Sequence, residues 1–304
     1  MINRIIIGSR GSKLSLAYAK KVKNLISSSL NKKCDFKTKI IKTSGDLFQN
    51  KKISDIGGKN IFCKEIEDNL KEKKIDIAVH SLKDMDSFEE NDLVIGAYLK
   101  RNDPRDVIIL KKGKTLKCKN LIIGSSSKRR ELQFKLLLKN IKCKDIRGNV
   151  DTRLSKIANG GYDGTILALA GIQSLSLKND INKVFSTEEI IPAAGQGVIA
   201  VQCRKDNKKI LNILKKVNDN ETKICSLAER SLLKTIGGDC HTAIGVYAKV
   251  NKNNIILKSQ LFSDDGKDYF SLEKAGDKKF PTRLGILSGK ELLKKSKGKY
   301  KKKR

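Results

Sequence analysis

The chain has 304 residues, enough to bury more than one core, and its length predicts two or three domains. Apolar residues make up 38% and charged residues 32%, and 65 Lys+Arg against 33 Asp+Glu give a formal charge of +32. Seven cysteines with no C-x-x-C spacing argue against a disulfide framework and a zinc ribbon, and no apolar run approaches a membrane span. The charge invites a polyanion partner. The lysines, however, are spread along the whole chain, aromatics are only 5% and tryptophan is absent, so a base-stacking platform is poorly supplied. Met1-Ile2-Asn3-Arg4 leads straight into an apolar segment without a secretory or transit pattern. The expectation is a soluble, cytoplasmic protein with no membrane and no specific nucleic acid among its partners.

In chain order, residues 4 to about 97 read as strands Arg4–Gly8, Phe36–Lys42, Ile75–Val79 and Leu93–Ala97, with helices near Ser12–Leu30 and Asn60–Lys73. Ile61, Phe62, Ile66 and Leu70 recur at helical spacing and mark the buried face of the second helix. Alternation of this kind predicts a mainly parallel sheet covered by helices. Asn102-Asp103-Pro104-Arg105 reads as a turn, after which the theme repeats. Strands are expected at Asp106–Leu110, Leu121–Gly124, Lys144–Arg147 and Gly164–Ala170, and helices at Arg129–Asn140 and Thr152–Asn159. Ile190–Val201 reads as a crossover and a strand returning to the first domain, so that two α/β lobes joined by two crossings form a hinged cleft. From about Lys208 helical patterns fill 208–216 and 221–235. Strands then follow at Ala243–Val250, Asn254–Ser263 and Tyr269–Glu273, giving a separate α+β domain, and Lys294–Arg304 reads as a frayed basic tail.

Arginine placement carries the chemistry. Lysine fills most basic positions, yet Arg10, Arg129, Arg130, Arg147 and Arg153 follow or flank Gly/Ser loops at the ends of apolar runs. Such loops lie at the carboxyl ends of strands, where α/β sheets bind ligands. A guanidinium fork binds carboxylate or phosphate through two parallel hydrogen bonds, which a lysine cannot reproduce. Several forks at two sheets therefore predict a ligand bearing many carboxylates or phosphates.

Asp84, in Asp76-Ile77-Ala78-Val79-His80-Ser81-Leu82-Lys83-Asp84, ends a nearly apolar strand. It is positioned either to steady a cation or shuttle a proton, or simply to cap a following helix. Lys83 can bind an anion or pair with Asp84, and His80 reads as a satisfied strand histidine. Lys59, in Gly57-Gly58-Lys59-Asn60, sits where backbone N–H groups and a helix start could meet an anion. Ser9, Ser12, Ser125, Ser126 and Ser127 offer neutral donors at similar junctions. Cys240, in Gly237-Gly238-Asp239-Cys240-His241-Thr242, is the one loop cysteine, either a nucleophile or attachment point or an inert thiol.

Nine segments in order resemble the porphobilinogen deaminase (hydroxymethylbilane synthase) family. They are Ile7–Arg10, Gly57–Lys59, Asp76–Asp84, Asp103–Asp106, Gly124–Arg130, Arg147–Val150, Thr152–Lys156, Pro192–Gly197 and the Gly-Gly-Asp-Cys loop. The resemblance implies an α/β fold of two lobes like type II periplasmic binding proteins, plus a small C-terminal α+β domain. The corresponding bounds are 1–98 with 196–216, 102–192 and 218–304. It implies a dipyrromethane cofactor joined by thioether to Cys240, and Asp84 as the catalytic group that contacts pyrrole nitrogens. It also implies that Arg10, Lys83, Arg129, Arg130, Arg147, Arg153 and Lys59 bind acetate and propionate groups, with Ser12, Ser126 and Ser127 adding hydrogen bonds. The implied reaction belongs to tetrapyrrole biosynthesis: four porphobilinogens condense with loss of ammonia, and hydroxymethylbilane is released by hydrolysis. No metal is implied, and the implied state is a cytoplasmic monomer.

Four positions depart from the family pattern: Asp55 stands where many relatives have lysine, Asp86 and Ala243 where proline is expected, and Ser174 where arginine is expected. The alternative, a non-catalytic two-lobed polycarboxylate-binding protein, accounts for the arginines but gives Asp84 and Cys240 no task.

Overall fold

A computed structural model describes residues 3–30, 34–47, 61–88, 90–139, 141–177, 181–238 and 242–300. The chain divides into two compact units. One comprises Met1–Asn102 with Val198–Lys223, and the other Asp103–Gly197 with Ile224–Arg304.

The first unit is built on β1 (Arg4–Ser9), β2 (Asp35–Ile40), β3 (Ile77–Ser81), β4 (Leu93–Tyr98) and β10 (Ile199–Arg204), in the order β2-β1-β3-β10-β4. β1 is parallel to β2 and β3, whereas β10 runs antiparallel to both β3 and β4. The predicted return of the chain to the first sheet is therefore observed. The helices α1 (Lys13–Ser29) and α7 (Lys208–Val217) cover one face, packing Ala19, Val22, Ile26, Ile210 and Leu214 on Ile5, Ile7 and Val201. Burying an aliphatic side chain of this size contributes roughly 1.5–3 kcal/mol. α3 (Lys64–Lys71) packs Ile66 and Leu70 with Ile41, Ile75 and Ala78. α2 is a single short turn, Ser44–Leu47.

The second unit repeats the scheme with β5 (Asp106–Leu110), β6 (Leu121–Gly124), β7 (Ile141–Lys144), β8 (Gly164–Ala168) and β9 (Lys183–Val184), ordered β7-β6-β8-β5-β9. β6 is parallel to β7 and β8, and β5 is antiparallel to β8. In each sheet the fourth strand is the one that follows a crossing between the units. The helices of this sheet are α4 (Lys128–Leu137), α5 (Val150–Ala158) and α6 (Leu169–Ser174). The same unit holds the antiparallel sheet β11 (Ile244–Asn251), β12 (Asn254–Phe262) and β13 (Tyr269–Asp277), with α9 (Pro281–Ser296) and, from Ile224 onward, α8 (Asn220–Thr235). Leu232, Val246, Leu257, Leu284 and Leu292 share its core. α9 reaches α8 closely enough that a Cβ on Gly285 would lie 2.3 Å from the Ala228 carbonyl oxygen.

Three expectations need correction. The short strand placed at Lys144–Arg147 is Ile141–Lys144, because Ile141 is the residue that enters the core. The strand from Gly164 stops at Ala168, and Leu169–Ser174 turns into a helix. The basic tail is not frayed at Lys294. α9 runs to Ser296, and the buried Tyr300 hydroxyl donates to the Ile236 carbonyl at 2.8 Å.

Candidate active site

In the first unit, Arg10, Lys83 and Asp84 lie at the carboxyl ends of the neighbouring parallel strands β1 and β3, which are in register at Gly8 and Ala78. After Ser81 the chain makes a tight turn, Leu82–Asp84. Leu82 (1% exposed) and Met85 (6%) anchor it from both sides, so Lys83 and Asp84 are left half-buried between them. The Leu82 N–H donates to Val198 O at 3.0 Å, and the Cys63 thiol lies 3.7 Å from the Asp84 carbonyl oxygen. No helix follows for Asp84 to cap, and among the described residues its carboxylate accepts no hydrogen bond. The capping reading thus has no support.

The Arg10 fork is engaged by Asp46, a residue that no sequence motif marks. Arg10 Nη2 lies 2.5 Å from Asp46 Oδ1, Arg10 Nε is 3.2 and 3.3 Å from the two Asp46 oxygens, and the Phe62 ring lies 4.3 Å from the guanidinium carbon. Burial acts to raise the Asp46 pKa, but hydrogen bonds from Arg10 and Thr43 and the Arg10 charge outweigh it, leaving the carboxyl below its usual value. Ser12 is the N-cap of α1, accepting from the Ser15 N–H at 3.2 Å, and Ser9 bonds within its own loop. His80 is buried on β3, and burial, reinforced by the Arg10 charge, pushes its pKa down to about 4. It is therefore neutral at physiological pH.

In the second unit the ends of β6 and β7 bring together Ser126, Ser127, Arg147 and Arg153. The Ser126 hydroxyl donates to the Ile146 carbonyl, which joins the two loops, and Ser127 caps α4. Gly148 adopts φ +111°, and a Cβ there would lie 2.6 Å from Thr152, so the loop between Arg147 and α5 needs glycine. Arg153 Nε donates to Gly148 O at 2.8 Å, and Arg147 Nε lies 3.4 Å from Asp145 Oδ2.

Arg129 and Arg130, expected beside these groups, turn into the interior. Their side chains are 5% and 8% exposed and converge on Asp106, which is fully buried, each at 2.8 Å. Arg130 also donates to Ile166 O at 3.1 Å, and Arg129 to Ile191 O at 2.8 Å. Gln196 adds a bond to Asp106 at 3.0 Å and one to Pro104 O at 2.6 Å. Burial alone would raise the Asp106 pKa, but the two guanidinium charges hold it well below the carboxylate range. The cluster ties both crossing segments, 103–106 and 191–197, to the start of α4. No signal in the sequence marks Asp106 as the partner of arginines more than twenty positions away.

Lys59, Asp55 and Cys240 lie outside the described residues. What precedes Cys240 is the end of α8, closed by Gly237 at φ +64°. Of the other departures, Asp86 accepts from the Phe88 N–H at 3.0 Å, Ser174 Oγ donates to Ala170 O at 2.7 Å, and Ala243 is buried with Leu132 and Phe262.

Two family models match the chain in tandem. The "Porphobilinogen deaminase, dipyromethane cofactor binding domain" covers residues 5–212, and the "Porphobilinogen deaminase, C-terminal domain" covers residues 223–294. The chain is 40% identical over 295 residues to a porphobilinogen deaminase of Alkaliphilus metalliredigens, covering 96% of this chain and 92% of that one. Identity to the Brevibacillus brevis enzyme of that name is 40% over 290 residues (94% and 93% covered). For Francisella tularensis subsp. novicida it is 38% over 294 residues (96% and 97%). With both models in order and relatives matched over nearly their full length, the chain belongs to the porphobilinogen deaminase family.

Proposed function

We propose that this chain is a hydroxymethylbilane synthase of tetrapyrrole biosynthesis, joining four porphobilinogens head to tail with loss of ammonia and releasing the product by hydrolysis. The observation that carries the reading, in a chain of this family, is Asp84. It is a half-buried carboxylate with no hydrogen-bond partner among the described residues, held at a strand end next to the strand that leads to Arg10. Three working parts are inferred, residues 1–98 with 196–216, 102–192 and 218–304, and the protein is inferred to act as a cytoplasmic monomer. Among the described residues no helix is long and apolar enough to cross a membrane.

The dipyrromethane group of the family fits the chemistry of the donors present. It carries carboxylates, and the strand ends offer guanidinium, ammonium and hydroxyl groups in Arg10, Lys83, Ser12, Ser126, Ser127, Arg147 and Arg153. Arg129 and Arg130 support this set from the interior through Asp106. We assign Lys59 to the same set and Cys240 as the thioether anchor. When bound, the group supplies the free pyrrole α-carbon to which units are added.

The protein's own task begins with porphobilinogen. Its aminomethyl group leaves from the protonated, ammonium form: the C–N bond breaks, ammonia departs with the bonding pair, and the positive charge passes to the pyrrole nitrogen as an azafulvenium. The Asp84 carboxylate stabilises that N–H cation and takes the proton released after carbon–carbon bond formation, contributions typically worth 10²–10⁴-fold. Each added ring brings two more carboxylates, which is why single-point cations would not suffice. Incubation of purified protein with porphobilinogen, followed by acid oxidation, should give uroporphyrin fluorescence that grows with time. Stoichiometric binding without fluorescence would instead favour the polycarboxylate-binding alternative.

A further inference from the structure

Arg10 is held from several directions, and the manner of holding defines which part of it remains available. Asp46 takes the Nε/Nη2 edge at 2.5–3.3 Å, while the Phe62 ring lies 4.3 Å from the guanidinium carbon. Asp46 is itself fixed: its Oδ2 accepts from the Thr43 hydroxyl at 2.9 Å and from the Thr43 N–H at 3.3 Å, and Thr43 is fully buried. A guanidinium carries five N–H donors on three nitrogens. Among the described residues nothing accepts from Nη1, so the Nη1/Nη2 edge is left, and that edge matches a second carboxylate in two parallel bonds.

We propose that Asp46 is a positioning residue that presents the outer edge of Arg10 to a ligand carboxylate, rather than a competitor occupying Arg10 until a ligand displaces it. The proposal rests on the reading of Arg10 as a carboxylate contact. The two roles differ in sign. A competitor, once removed, frees Arg10 and adds net positive charge, so binding tightens. A positioning residue, once removed, leaves a long side chain stacked on Phe62 but free to turn, and binding must then restrain it.

The test uses Asp46→Asn, Arg10→Ala and the double variant of the full chain, with cofactor content of each preparation measured by intact mass. For porphobilinogen, Asp46→Asn should raise KM about tenfold and change kcat by less than about threefold. The Arg10 Nε–H resonance, distinct in the parent protein, should collapse into the averaged arginine signal. Arg10→Ala should raise KM by at least as much, and Asp46→Asn should add nothing in that background. A KM that falls or stays the same in Asp46→Asn, while Arg10→Ala raises it, overturns the positioning role alone. An unchanged KM in Arg10→Ala overturns the assignment of Arg10 as a ligand contact and the positioning role with it.

Discussion

Asp84→Ala is expected to reduce turnover of porphobilinogen by about 10²–10⁴-fold while leaving thermal unfolding essentially unchanged. The separation follows from where the turn gets its support. Leu82 and Met85 are buried on either side of Lys83–Asp84, and the Leu82 N–H is bonded to Val198 O. The carboxylate takes no part in that framework, so truncating it breaks no hydrogen bond among the described residues. What is lost is a carboxylate at the end of β3, placed for a developing pyrrole cation. Asp84→Asn keeps the shape and loses the charge, and should be nearly as slow if charge is the operative property. Near-normal rates in the alanine variant would remove Asp84 from the mechanism.

Asp106→Ala should be the most destabilising single change at the site. It strands two guanidinium charges in an interior where their side chains are 5% and 8% exposed. Removing one partner of a buried ion cluster costs about 3–5 kcal/mol, so the midpoint of the unit comprising Asp103–Gly197 and Ile224–Arg304 should fall by on the order of 10 °C. Acidification gives a second readout. The folded pKa of Asp106 is depressed, so its contribution to stability is complete above the unfolded value of about 3.9 and is lost as pH falls below that toward the folded pKa. The parent protein should therefore weaken below about pH 4, and Asp106→Asn should lack that part of the pH dependence. Calorimetric midpoints within a degree or two of each other for parent and Asp106→Ala would show that the cluster is not held as described.

The strands of both lobes were legible because they are short apolar runs closed by Gly/Ser loops. Ile5–Ile7, Ile77–Val79, Val107–Leu110 and Leu121–Ile123 all enter cores where the pattern placed them. Ambiguity entered where one run satisfies two periods. Leu167-Ala168-Leu169-Ala170 is apolar throughout, and only its surroundings decide that the strand ends and a helix begins at Leu169. α9 is not legible in the sequence because Gly285 and Gly289, which permit its close approach to α8, look like loop residues in one dimension, and its last turn merges with a lysine run.

The site was legible to a lesser degree. A strand followed by a Gly/Ser loop and an arginine correctly marks the carboxyl ends of β1 and β6, and so places Arg10 and the Ser126–Ser127 loop. It cannot say which way a guanidinium points. Arg129 and Arg130 point inward because of Asp106, and Arg10 is oriented by Asp46. Both carboxylates are distant in sequence from the arginines they meet, and no local spacing pairs them. Ser12 and Ser127 stand where a donor to a ligand was expected, and both also cap helices, a dual use that loop composition alone does not reveal.

The proposed activity depends most on a polyacidic pyrrole group tethered to Cys240 and met by arginines at the strand ends. Intact mass of the purified protein tests it most directly. The parent chain should be heavier than its sequence by two linked pyrrole units, and Cys240→Ser should show the bare sequence mass and no turnover. A parent protein that forms hydroxymethylbilane at its bare sequence mass, or a Cys240→Ser variant that keeps the added mass, would contradict it.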